Sequence, residues 1–70
     1  MSGKKTMTLN LTANEMEGIE LLASEKGISK TALVKQALRM YQSIDGRIVE
    51  GEKVFFENPI TKEKAELLLL

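Results

Sequence analysis

The sequence predicts a small α+β protein in which one strand leads into two helices and a β-hairpin closes the chain. Three observations predict it. Residues 5–12, "KTMTLNLT", alternate apolar and polar side chains, the period-2 pattern of a half-buried strand. Two segments, about 13–26 and about 30–50, repeat apolar residues at spacings of three and four and are each followed by glycine, the signature of amphipathic helices. The tail "KVFFENPITKEKAELLLL" holds two apolar runs separated by turn chemistry.

The first strand places Met7, Leu9 and Leu11 on one face and Thr6, Thr8 and Asn10 on the other. The next forty residues contain no second strand to pair with it. At its end Thr12 is followed three residues later by Glu15, a capping box with Thr12 as N-cap. Met16, Ile19, Leu22 and Ala23 form the apolar stripe of the first helix, Lys26 lies in its last turn, and Gly27 suits a left-handed C-terminal residue. Gly18 inside this helix costs about 1 kcal/mol relative to alanine.

"GISK" is a very short joint: Gly27 stops the first helix and Ser29 is an N-cap for the second. Val34, Ala37, Tyr41, Ile44 and Ile48 keep helical spacing through Asp45-Gly46, so the second helix is expected over about 30–50 with Gly51 as its C-cap. "KVFFE" and "AELLLL" are expected as the two strands of the hairpin, with Asn58-Pro59 in the turn. Four consecutive leucines cannot share one face of a strand, so both faces need cover or the segment packs on something else.

Seventy residues allow one small domain at most. A chain of that size usually needs a disulfide, a metal or a partner chain for stability. It has no cysteine and no histidine, which excludes disulfides and the usual zinc sites. A second subunit is therefore the expected staple. The hydrophobic fraction of 43% with three aromatics suits an aliphatic helical core.

The net charge is zero, but its distribution is uneven. Up to Met40 there are six basic residues (Lys4, Lys5, Lys26, Lys30, Lys35, Arg39) against four acids (Glu15, Glu17, Glu20, Glu25). From Tyr41 onward there are four basic residues against six acids. The front half suits an anionic partner better than the back half. No segment approaches the ~20 apolar residues of a membrane span, and the N-terminus has no apolar run typical of a secretory signal. No membrane association and a cytoplasmic location are expected, and the sequon "NLT" at 10–12 is read as incidental.

The order of strand, capped helix, "GISKTAL" corner and "VKQALRMY" resembles the ribbon-helix-helix (MetJ/Arc/CopG-type) DNA-binding family over roughly residues 4–44. The resemblance implies a β-α-α intertwined homodimer in which the strands of two chains pair into one antiparallel ribbon, with residues 1–51 as the DNA-binding and dimerisation domain and 52–70 as an extension. It implies a dimer core of Met7, Leu9, Leu11, Ile19, Leu22, Leu33, Val34, Leu38 and Tyr41. It also implies a transcriptional repressor or a plasmid copy-number or partition regulator that binds double-stranded DNA, with higher-order arrays along the DNA.

A two-stranded ribbon fits the major groove, where its outer side chains meet base edges. By the strand's alternation these are Lys4, Thr6, Thr8 and Asn10. Asparagine pairs bidentately with adenine, and threonine offers a hydroxyl and a methyl to thymine. The bland reading is that threonine and asparagine are the solvent face of a strand. In the family the start of the second helix grips the DNA backbone, which maps here to Ser29, Lys30 and Thr31; Lys5 is a further phosphate candidate. Many members carry Arg or Lys at the centre of the ribbon, whereas Thr6, Thr8 and Asn10 are neutral.

For the tail, Phe55, Phe56 and Leu67, Leu68, Leu69 and Leu70 are open to three roles: extra core, a dimer–dimer contact, or docking of a protein partner. The alternative to a DNA regulator is a dimeric adaptor or antitoxin whose tail binds a toxin or a partition filament. An enzyme is not expected, and no cofactor or metal is: the chain has no His or Cys, no Gly-x-Ser-x-Gly, no P-loop and no carboxylate pair with a sign of burial.

Overall fold

The computed structural model of the chain describes residues 3–68. Two helices, α1 (Ala13–Lys26) and α2 (Lys30–Val49), precede two short strands, β1 (Val54–Glu57) and β2 (Lys64–Leu67), which pair antiparallel. The protein is thus a small α+β chain whose sheet among the described residues is a C-terminal hairpin.

Local chemistry explains each boundary. Thr12 takes an extended conformation, its hydroxyl accepts from the Glu15 N–H at 3.1 Å, and its own N–H donates to Glu15 Oε1 at 2.9 Å. Two of the amides that a helix start leaves without a carbonyl are thereby satisfied. At the other end Gly27 sits at φ 64, its N–H donating to the Ser24 carbonyl and that of Ile28 to Ala23. This double closure requires a left-handed residue, which glycine adopts without a Cβ clash.

The second helix repeats the arrangement with different residues. Ser29 Oγ accepts from the Ala32 N–H at 3.0 Å. Gly51, at φ 91, closes the C-terminus with bonds from its own N–H to Ile48 and from Glu52 to Arg47. The helix runs unbroken through Asp45 and Gly46, as its apolar spacing requires.

In the hairpin, Asn58 organises the turn. Its side-chain oxygen accepts from the N–H groups of Ile60 and Thr61, and its backbone bonds to Glu63 and Lys62. Lys62 is left-handed at φ 65, a conformation that costs an ordinary residue about 1–2 kcal/mol. The register pairs Val54 with Leu67, Phe55 with Glu66, Phe56 with Ala65 and Glu57 with Lys64.

The chain forms two compact units, one ending at Val34 and the other beginning at Lys35, so the division falls inside α2. In the first, Ala23 (4% exposed) and Leu33 (9%) are the buried apolar side chains, with Leu11, Ile19, Ile28, Ala32 and Val34 half-buried around them. In the second, Ile44, Ile48, Val54 and Leu67 are half-buried and none is fully enclosed.

One expectation needs correction, and one concerns more than a single chain. Residues 3–11 enter no ladder, because a strand's N–H and C=O groups need a neighbouring strand and the described residues of this chain supply none there. The partner expected for this segment is the same segment of a second copy, so the single chain does not confirm the β-α-α order. The last strand is also shorter than "AELLLL": it begins at Lys64 and stops at Leu67, opposite the first residue of β1, so Leu68 is unpaired and exposed. Leu69 and Leu70 lie outside the described residues.

Candidate nucleic-acid interface

All members of the proposed reading face, Lys4, Thr6, Thr8 and Asn10, are exposed, as is Lys5. Among the described residues none of their side chains takes part in a hydrogen bond or ion pair. Glu15 is the first acid in the chain, so the segment that bears Lys4 and Lys5 is locally positive.

The two helix starts differ in their electrostatics. At α1 the Glu15 carboxylate compensates the exposed amides, and the Thr12 N–H, followed by the Thr12 hydroxyl, holds its carboxyl below the ordinary value of 4.5. At α2 the first turn contains no acid. Ser29 satisfies the Ala32 amide and the Ser29 carbonyl takes the Leu33 amide. Among the described residues no acceptor takes the N–H groups of Lys30 or Thr31. Those amides, the partial positive charge of the helix end and the Lys30 ammonium together suit a phosphate. Ser29, Lys30 and Thr31 are all exposed.

The apolar residues expected in a dimer core divide by burial. Leu33 is buried, and Leu11, Ile19 and Val34 are half-buried within the single chain. Met7 (76%), Leu9 (49%), Leu22, Leu38 and Tyr41 are exposed. Met16, Leu21, Met40 and Val49, which the expected core did not include, are exposed as well. Leu21 and Met40 lie beside the periodic stripes, so a count of large exposed hydrophobics finds them where strict spacing does not. In the tail, Phe55, Phe56 and Leu68 are exposed and Leu67 is half-buried.

Among the described residues no group of three or more carboxylate side chains is placed to hold a metal ion, and no helix is long and apolar enough to cross a membrane. Comparison of the chain with known protein families, with curated proteins and with solved structures found no match.

Proposed function

We propose that this chain is a sequence-specific DNA-binding protein that acts as a homodimer, as a transcriptional repressor or a plasmid copy-number or partition regulator. Residues 5–12 of two copies pair antiparallel into a ribbon. The ribbon's inner face, Met7, Leu9 and Leu11, meets the apolar residues of the helices, and its outer face, Lys4, Thr6, Thr8 and Asn10, enters the major groove. The start of α2 holds the flanking phosphate.

The observation that carries this reading is the alternation in residues 4–11. A segment without a ladder leaves Met7 and Leu9 open to water, and the intervening positions carry free hydrogen-bonding groups behind two lysines. Pairing with the same segment of a second copy satisfies the backbone groups along one edge of each strand and sets the apolar residues of both on one face, against the helices. It also presents four polar positions twice, related by a two-fold axis, to a groove of matching width. The ribbon-helix-helix resemblance of residues 4–44 and the acid-free start of α2 support it.

The test is a salt-dependent gel shift on DNA from upstream of the protein's own coding region, with unrelated DNA as competitor. Binding is expected to be specific and to weaken steeply with salt. The Thr6→Ala/Thr8→Ala/Asn10→Ala variant is expected to lose discrimination while retaining weak, general binding. Absence of binding by the wild type, or unchanged specificity in the triple variant, rejects the reading.

A further inference from the structure

One edge of the hairpin is complementary to itself. The sheet has two strands among the described residues, so each has one edge without a neighbour. The Asn58 N–H donates to the Glu63 carbonyl at 2.8 Å, which makes residues 58 and 63 a hydrogen-bonded pair. Such pairs alternate with non-bonded ones along an antiparallel ladder. The register then turns the backbone groups of Val54 and Phe56 toward β2, and those of Phe55 and Glu57 toward the free edge.

The side chains along β1 follow the same alternation. Val54 and Phe56 share one face; Phe55 and Glu57, with Lys53 just before the strand, share the other. Phe55 is 52% exposed and Phe56 is 61% exposed. Two large aromatics are thus left open on a strand only four residues long, flanked by a cation at one end and an anion at the other.

We infer that β1 is a self-association edge, and that a second copy of this chain docks on it antiparallel with Phe55 opposite the partner's Phe55. That register places Lys53 opposite the partner's Glu57 and Val54 opposite the partner's Phe56. The outward backbone groups of Phe55 and Glu57 meet outward groups of the partner, so the hydrogen-bonding phase agrees with the side-chain pairing. A slip of two residues in either direction keeps the hydrogen bonds but puts Phe55 opposite Lys53 or Glu57 and separates the ion pairs. A slip of one turns the free N–H groups toward residues whose own groups already face β2. One register therefore satisfies charge, apolar contact and backbone together.

The result is a four-stranded sheet in the order β2, β1, β1 of the partner, β2 of the partner, beyond the two strands that are marginal in water. The outer edge of β2 also carries opposite charges, Lys64 and Glu66, but only Ala65 lies between them, so it offers no aromatic contact. The contact at β1 is two-fold and isologous, and it does not rest on the ribbon over residues 5–12. Where both contacts form, each copy has two different two-fold interfaces, and dimers join into tetramers or rows.

Cysteine cross-linking tests the register, because the chain has no cysteine of its own. In a hydrogen-bonded antiparallel pair the Cα atoms are about 5.5 Å apart, within disulfide range. Full-length Phe55→Cys is expected to form a reducible covalent dimer under mild oxidation. Lys53→Cys and Glu57→Cys are each expected to remain thiols when separate and to cross-link when mixed. Sedimentation of Phe55→Lys, with helix content checked by far-UV circular dichroism, is expected to show one assembly step fewer than the wild type. Three results overturn the proposal: Phe55→Cys that stays reduced, cross-linking of Lys53→Cys or Glu57→Cys with itself as fast as Phe55→Cys, or dominant self-cross-linking of Ala65→Cys, which would move the contact to β2. The ribbon is read separately with Leu9→Lys, which removes DNA binding if the ribbon is needed and leaves the Phe55→Cys cross-link in place.

Discussion

Thr12 and Glu15 cap each other at the start of α1, each accepting the other's backbone N–H through its side chain. The pair joins the proposed ribbon to the first helix, so its loss affects both. Thr12→Ala is expected to lower stability by about 1 kcal/mol, read as a shift in the urea midpoint. Because the folded carboxyl of Glu15 lies below its ordinary 4.5, its contribution is complete above that value and fades as pH falls through the folded one. The difference in urea midpoint between wild type and Glu15→Gln is therefore expected to be constant from pH 7 to pH 5 and to shrink below 4.5. A difference that grows on acidification contradicts the cap.

Two glycines lie inside helices with open space around them. A Cβ added at Gly18 or at Gly46 meets nothing within 4 Å in this chain. Gly18→Ala and Gly46→Ala are each expected to raise thermal stability, by up to about 1 kcal/mol. If Gly18→Ala instead destabilises, a neighbouring copy approaches α1 closely at that point, and the comparison locates a subunit contact.

The turn of the hairpin offers the opposite case, an ordinary residue where glycine fits. Lys62→Gly removes the clash of a left-handed side chain, and part of that gain is offset by glycine's larger entropy loss. A net gain of roughly 0.5 kcal/mol is expected, measured by chemical denaturation. Asn58→Ala is expected to act the other way, because the N–H groups of Ile60 and Thr61 lose their shared acceptor.

Under the proposed function, salt separates the two kinds of DNA contact. A lysine that neutralises a phosphate contributes to the slope of log K against log salt, by about 0.9 per phosphate. Lys30→Ala, present twice in a dimer, is expected to flatten the slope by roughly 2 and to weaken all sequences alike. Asn10→Ala is expected to leave the slope unchanged and to relax one base preference in each half-site, by about 1–3 kcal/mol. Titrations at four salt concentrations distinguish them.

Helix boundaries were readable from the sequence because their signals are local. Thr12, Glu15 and Gly27 act on backbone groups within four residues of themselves, and they delimit α1 at Ala13–Lys26. The apolar spacing from Val34 to Ile48 outweighed Asp45-Gly46, and α2 runs to Val49. The strands were harder to read. Alternation over residues 5–12 describes two faces and not a partner, and this chain gives that segment no ladder. The end of β2 at Leu67 depends on where β1 begins, which the run of leucines does not encode. The candidate site was legible as a set of residue types. Its phosphate element was legible as the start of the second helix at Ser29, and the structure adds the contrast between the acid-compensated start of α1 and the acid-free start of α2.

Ala23 and Leu33 are the buried apolar side chains of the whole described chain. Under the proposed pairing, most of the apolar surface is withdrawn from water only when copies meet, so the folded dimer rises with the square of the free, unfolded chain's concentration. Dilution unfolds such a protein as heat does, and its melting temperature climbs with each tenfold increase in concentration. Proteases act on the open chain. The lifetime of each copy is then set by how many others share its compartment, and scarcity itself becomes a route to degradation.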